Sequence, residues 1–334
     1  MFDFQAEKYD QYKLEYNQFV KSKKTANYFD SSKRSSYVSD IANLFKYGTT
    51  QKNKQIFLVA PSIFNSPEIL FLSDNHNFIK NLQKNGDVYL IDWLENDRQL
   101  LLEDYVNELK KVILFLQADT DKQINLAGHC IGGNICIAIT AQMSRQTKIN
   151  SLTLLTCPWD YSHFKKWLCM YDFLGFDKVI SDCEFVPKIY IQIMFFLMFP
   201  SQFQDKINKY FDLESSEAKE LFMKVEEWLQ SGNTISKSMY RQIIQDFCRK
   251  NILLNNEWYI DGDPIYLENI NVPVCIIHAR EDRIVPFCSM NPLQKQIKDS
   301  TLIEVEGGHI GYLVSGDLCF QEKYDDWLVE SVLR

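Results

Sequence analysis

The stretch Gly128-His129-Cys130-Ile131-Gly132-Gly133 places a thiol where a reactive side chain has a reason to stand. The apolar run Ile124-Asn125-Leu126-Ala127 leads into it as a strand, and a helix-like segment from Asn134 to Met143 leads out. A nucleophile held at a sharp strand-to-helix turn needs small neighbours, because the turn is strained and the backbone packs closely around it. Glycines on both sides of Cys130 meet that need. A lone cysteine is more often an inert core residue. Here the glycines and the strand–turn–helix setting argue for a nucleophile. A thiol also suits exchange with another thioester better than a hydroxyl does.

Such a thiol needs a base, and the base needs an orienter. On the fold that carries this elbow the acid follows the nucleophile in the chain and the histidine comes last. Val274–Ala279 reads as a late strand, and the loop after it holds Glu281 and Asp282. Past the next strand, Glu306-Gly307-Gly308-His309-Ile310-Gly311 supplies the histidine, with glycines that let the backbone turn. The other four histidines compete poorly. His278 lies within a strand, His76 far upstream on a helix, and His163 where an insertion begins. His129 should point away from the thiol. An oxyanion hole would draw one N–H from Ile131 and a second from the loop Pro61–Pro67, with Ser62 and Ile63 as candidates.

The elements that must position these residues alternate strand and helix, which predicts an α/β fold with a mostly parallel sheet flanked by helices. Strands are expected at 55–60, 87–92, 123–127, 151–156, 274–279 and 301–305, and helices at 69–83, 103–117, 134–143 and 318–332. From about Asp160 to Leu267 the text reads helix after helix, rich in Phe, Trp, Tyr and Met. An insertion there would sit at the carboxyl end of the sheet as a cap or lid. The expected division is a polar, helical extension at 1–50, a core at 51–159 and 268–334, and a helical lid at 160–267. The run Ile191-Gln192-Ile193-Met194-Phe195-Phe196 reads as lid core, or as the wall of an apolar acyl tunnel.

Bulk composition excludes several classes. A net charge of -8 argues against a nucleic-acid binder, and an anionic substrate would need a local basic pocket. Nine cysteines without a C-x-x-C pair fit a reducing, cytoplasmic setting better than a disulfide framework or a zinc site. No secretory signal is expected at the amino terminus. The longest apolar stretch, 11 residues from Ile189 to Phe199, is too short to span a bilayer.

Taken together, the chain resembles the polyhydroxyalkanoate (poly-3-hydroxybutyrate) synthases of the α/β-hydrolase superfamily, in particular the short class III catalytic subunit. The resemblance covers roughly 55–330. It rests on Ala60-Pro61-Ser62-Ile63-Phe64-Asn65-Ser66-Pro67, Asp87-Val88-Tyr89-Leu90-Ile91-Asp92-Trp93, the cysteine elbow, Ala279–Pro286 and the Gly-Gly-His-Ile-Gly loop. It departs at Cys157-Pro158-Trp159-Asp160-Tyr161, which keeps only a Pro-x-Asp remnant.

The resemblance implies that Cys130 accepts a 3-hydroxyacyl group from its coenzyme A thioester. It implies that His309 deprotonates the thiol and that Asp282, rather than Glu281, orients His309. A growing polyester is then the product, with no metal or cofactor. A homodimer or a second non-catalytic subunit is the implied partner, and the surface of polyester storage granules the implied location. The alternatives are a cysteine thioesterase or polyester hydrolase of the same fold, and a catalytically silent granule-binding protein.

Overall fold

A computed structural model describes residues 2–22, 35–48, 55–118, 121–143, 148–198, 202–314 and 319–333. Eight strands form one sheet: β1 (Tyr37–Val38), β2 (Ala42–Tyr47), β3 (Gln55–Ala60), β4 (Asp87–Trp93), β5 (Gln123–His129), β6 (Ile149–Leu155), β7 (Val274–Ala279) and β8 (Ser300–Val305). Their spatial order is β1-β2-β4-β3-β5-β6-β7-β8. β2 runs antiparallel to β1 and to β4, and every other neighbouring pair is parallel. The central strands are short apolar runs because helices cover both faces of the sheet. All six residues of β7 are buried, as are Ile56 to Ala60 of β3.

A long amino-terminal helix, α1 (Phe2–Ser22), stands apart from the sheet. Two core helices carry the crossovers on either side of β5. α2 (Leu102–Ala118) buries Val106, Leu109, Val112, Ile113 and Leu116 along one face, the spacing of an amphipathic helix. α3 (Ile131–Met143) follows β5 directly and is buried on nearly all sides, so its sequence is mostly apolar.

Two differences from the sequence reading have clear physical reasons. Residues 1–50 were expected outside the core, yet β1 and β2 belong to the sheet. β2 is covered only in part: Ala42 and Leu44 on one face are buried, Asn43, Phe45 and Tyr47 on the other are only half-buried, and Lys46 is exposed, so the segment reads as polar. The single helix expected at 69–83 is broken. A turn at Pro67–Leu70 is followed by an antiparallel bridge between Phe71 and Asn77, and only Phe78–Leu82 is helical beyond it. The Asn77 side chain accepts from the Lys80 amide and caps that short helix, so the chain starts a new helix there instead of continuing the old one.

Between β6 and β7 the chain leaves the sheet. It forms α4 (Lys165–Phe173), α5 (Phe176–Ser181), α6 (Lys188–Met198), α7 (Gln202–Asp212), α8 (Ser216–Gln230) and α9 (Lys237–Arg241), which runs on into a π-helical segment at Gln242–Arg249. Two ribbons of two strands each interrupt the helices, Phe185–Val186 with Ile235–Ser236 and Tyr259–Ile260 with Asp263–Pro264. α1 docks on this region. Tyr12 is buried, packs edge-on against Tyr210 of α7, and donates to the buried Glu226 of α8 at 3.0 Å. Among the described residues no helix is long and apolar enough to cross a membrane.

Candidate active site

Cys130 sits at the junction of β5 and α3 with φ 53°, a left-handed conformation that a residue with a side chain adopts only when its surroundings force it. Its amide donates to Leu155 O at 2.9 Å, which ties the turn to the end of β6. Gly132, in the first turn of α3, presses on the loop after β3. A Cβ there would stand 2.3 Å from Ala60 O and 2.4 Å from Pro61 O, so no larger residue fits. The elbow and the loop expected to hold the second oxyanion donor are therefore in direct contact.

The loop after β7 brings in Asp282, whose side chain is fully buried. Its Oδ1 accepts from the amides of Ile284 at 2.9 Å and Val285 at 2.8 Å. Its Oδ2 lies 2.8 Å from His309 Nδ1. Glu281 is exposed, so of the two neighbouring acids only Asp282 meets the histidine. The loop after β8 carries His309, with Gly307 at φ 97°, and Glu281 N donates to Gly307 O at 2.9 Å to hold the two loops together. The Cys130 side chain acts on His309 as a neighbouring charge. Burial alone would pull the pKa of His309 down. The charges on Cys130 and Asp282, with the hydrogen bond to Asp282, outweigh that and push it up to about 10.

The other histidines are placed differently. His278 is buried in β7 beside Phe287, and His76 pairs with Ser73. His163 anchors the root of the insertion to the acid loop, its Nε2 3.0 Å from Ile284 O. His129 is a residue the sequence reading undervalued. Its ring is buried, with its centroid 5.6 Å from that of His309, and neither nitrogen has a hydrogen-bond partner among the described residues. Burial, reinforced by the charge on His309, lowers its pKa to about 3, so it stays a neutral wall of the site.

Cys130 opens into a cavity of about 90 Å³ beneath the insertion. Phe64 and Ile131 wall it from the core, and Trp167, Met194, Phe195 and Ile244 from the insertion. Thus α6 is part of the packed core of the insertion and also walls an apolar cavity. Ile191 is buried in the core cluster, while it and Met194, Phe195 and Met198 also line the cavity. Cys248 shares the cavity, but burial pushes its thiol up to about 12. Burial pushes the thiols of Cys136 and Cys157 up as well. Cys130 has the His309 imidazole beside it.

The stretch that holds the elbow, the acid and the histidine is matched by a family model. Residues 72–315 fit the model of the alpha/beta hydrolase fold. The chain belongs to the α/β-hydrolase family.

Within this family its curated relatives are poly(3-hydroxyalkanoate) polymerase subunits. That of Haloarcula marismortui is 30% identical over 281 residues, covering 79% of this chain and 58% of the relative. That of Haloferax mediterranei is 29% identical, over 82% of this chain and 58% of its own length. The chain thus spans little more than half of these two proteins. The Synechocystis subunit is 27% identical, over 85% of this chain and 80% of its own length. Among solved structures, MenH from S. aureus superposes with a TM-score of 0.58 at 15% identity, over 86% of this chain and 98% of its own. A membrane phospholipase A superposes at 0.55 and 16% identity, over 90% of this chain and 86% of its own. Both establish the shared fold.

Proposed function

We propose that this α/β hydrolase is an acyltransferase that builds a polyester from 3-hydroxyacyl-CoA. One observation carries the reading. The Cys130 thiol, close enough to the hydrogen-bonded His309–Asp282 pair for its charge to act on the imidazole, opens into an apolar cavity roofed by the insertion. The kinship with polymerase subunits supports it.

In the proposed cycle His309 takes the proton of Cys130, and the thiolate attacks the thioester carbonyl. The oxyanion that forms is met by the amide of Ile131 and by those of Ser62 and Ile63. The bond to the CoA sulfur breaks, and His309 returns its proton to the leaving thiolate. The acyl group now rests on Cys130. The hydroxyl of a second hydroxyacyl unit then loses its proton to His309 and attacks the Cys130 thioester, so an ester forms and the thiol is regenerated. Thiol, imidazole and carboxylate supply this chemistry without a metal or an organic cofactor. The apolar walls favour transfer over hydrolysis by keeping water from the acyl-enzyme. The reading also places the chain at the surface of its polymer, in association with a second copy or subunit, as the relatives' designation as subunits suggests.

The test supplies purified protein with 3-hydroxybutyryl-CoA, follows thiol release and identifies the product. Polymer is expected; free hydroxy acid as the sole product would overturn the reading in favour of a thioesterase. Cavity size should set the accepted side chain. Phe195→Ala removes a wall residue, and the ratio of kcat/KM for a longer hydroxyacyl-CoA over 3-hydroxybutyryl-CoA is expected to rise about tenfold.

A further inference from the structure

The loop after β3 is gripped by the insertion as well as by the core. Asn233 N donates to Phe64 O at 2.7 Å, and Asn233 Nδ2 donates to Ile63 O at 3.2 Å. Just before it, Trp228 Nε1 donates to Ser66 O at 2.7 Å, and Asn65 Nδ2 donates to Trp228 O at 3.1 Å. On the core side, Trp93 Nε1 donates to Pro61 O at 3.0 Å.

A trans peptide unit is planar, so its C=O and its N–H point in opposite directions. Holding the Ile63 and Phe64 carbonyls toward Asn233 turns the Phe64 and Asn65 amides away from it. The Phe64 amide then meets Ser62 Oγ at 3.3 Å and is used within the loop. Holding the Pro61 carbonyl on Trp93 aims the Ser62 amide away from the indole in the same manner. The two amides expected to face a substrate oxyanion, those of Ser62 and Ile63, thus lie between two fixed points: Trp93 before them and Asn233 after them.

We infer that Asn233 is a positioning residue. It holds the loop after β3 so that the Ser62 and Ile63 amides face the carbonyl oxygen of an acyl group on Cys130, and so makes the oxyanion hole depend on a seated lid. The inference rests on the acyl-transfer reading. It adds that a residue 170 positions from Ile63 in the sequence controls how well that step is stabilised.

The experiment compares three rates in the full chain: CoA release from 3-hydroxybutyryl-CoA, p-nitrophenolate release from p-nitrophenyl butyrate, and alkylation of Cys130 by iodoacetamide. Alkylation displaces iodide at a saturated carbon and forms no oxyanion, so it reports only the thiol and its base. Asn233→Ala is expected to lower kcat for both acyl donors about tenfold, less than the loss of a whole oxyanion donor, with little change in KM and with alkylation at the parent rate. Asn233→Asp, equal in size but unable to donate to Ile63 O, is expected to lose at least as much.

The inference is overturned if both acyl rates are unchanged, or if alkylation falls in step with them, which would mark general damage to the site. A parent that releases p-nitrophenolate but no CoA would contradict the acyl-CoA reading alone, and the Asn233 comparison is then read on the ester. A parent that releases neither would overturn both.

Discussion

Cys130→Ala is expected to abolish CoA release, a fall on the order of 10⁶-fold if nucleophile, base and orienter act as a unit. The substitution should leave the fold intact. The side chain shortens by one atom at a partly exposed turn, and the ties of that turn to Leu155 and to the loop after β3 run through backbone atoms. A second readout separates loss of the nucleophile from loss of the site. The charge on Cys130 is one of the causes that hold the His309 pKa near 10. Without the thiol that support is gone, so the His309 ring in Cys130→Ala should titrate at a lower pH, as followed by NMR. The sign carries over to stability. A histidine whose pKa is raised on folding adds stability below its ordinary pKa of about 6.5, and that contribution is lost as pH rises through the folded value near 10. In Cys130→Ala the alkaline end of this window should move down. An unchanged His309 titration would mean that the two side chains are not coupled.

Asp282→Asn is expected to lower kcat by about 10⁴-fold, by analogy with triads whose orienting acid becomes an amide. The reason lies in the direction of two hydrogen bonds. An asparagine can still accept from the Ile284 and Val285 amides through its oxygen, so the loop keeps its shape. Its NH₂ then faces His309 Nδ1, where Asp282 presents an acceptor. An NH₂ opposite Nδ1 favours the tautomer with its proton on the other nitrogen, and that imidazole cannot take the proton of Cys130. Glu281→Gln, at an exposed neighbour, should change kcat little. The reverse pattern, with activity kept in Asp282→Asn and lost in Glu281→Gln, would reassign the acid.

Cys130 and Asp282 were legible in the sequence because each stands just past a short apolar strand, and strands buried on both faces announce themselves by composition; His309 was legible from the glycines around it. Gly132 and Gly307 were legible for the same local reason, since a close approach and a left-handed turn leave few other choices. β1 and β2 were not, because a two-residue edge strand and a short neighbour that buries only Ala42 and Leu44 look polar. Asn233 was invisible because nothing local marks an asparagine whose partners lie in a loop far upstream. The position of His129 against His309 was also hidden. The direction of a side chain next to a strained turn depends on how that turn packs, not on its neighbours in the chain. The apolar run in α6 could be recognised as buried, but which of its faces meets a cavity depends on where the lid rests.

The account centres on an acyl group carried by one cysteine. The most direct measurement is peptide mapping by mass spectrometry after brief incubation with 3-hydroxybutyryl-CoA and acid quench. The account predicts hydroxyacyl adducts on the peptide that contains Cys130, including species that carry more than one unit. An unmodified Cys130, with adducts confined to exposed thiols such as Cys169 or Cys288, would contradict it.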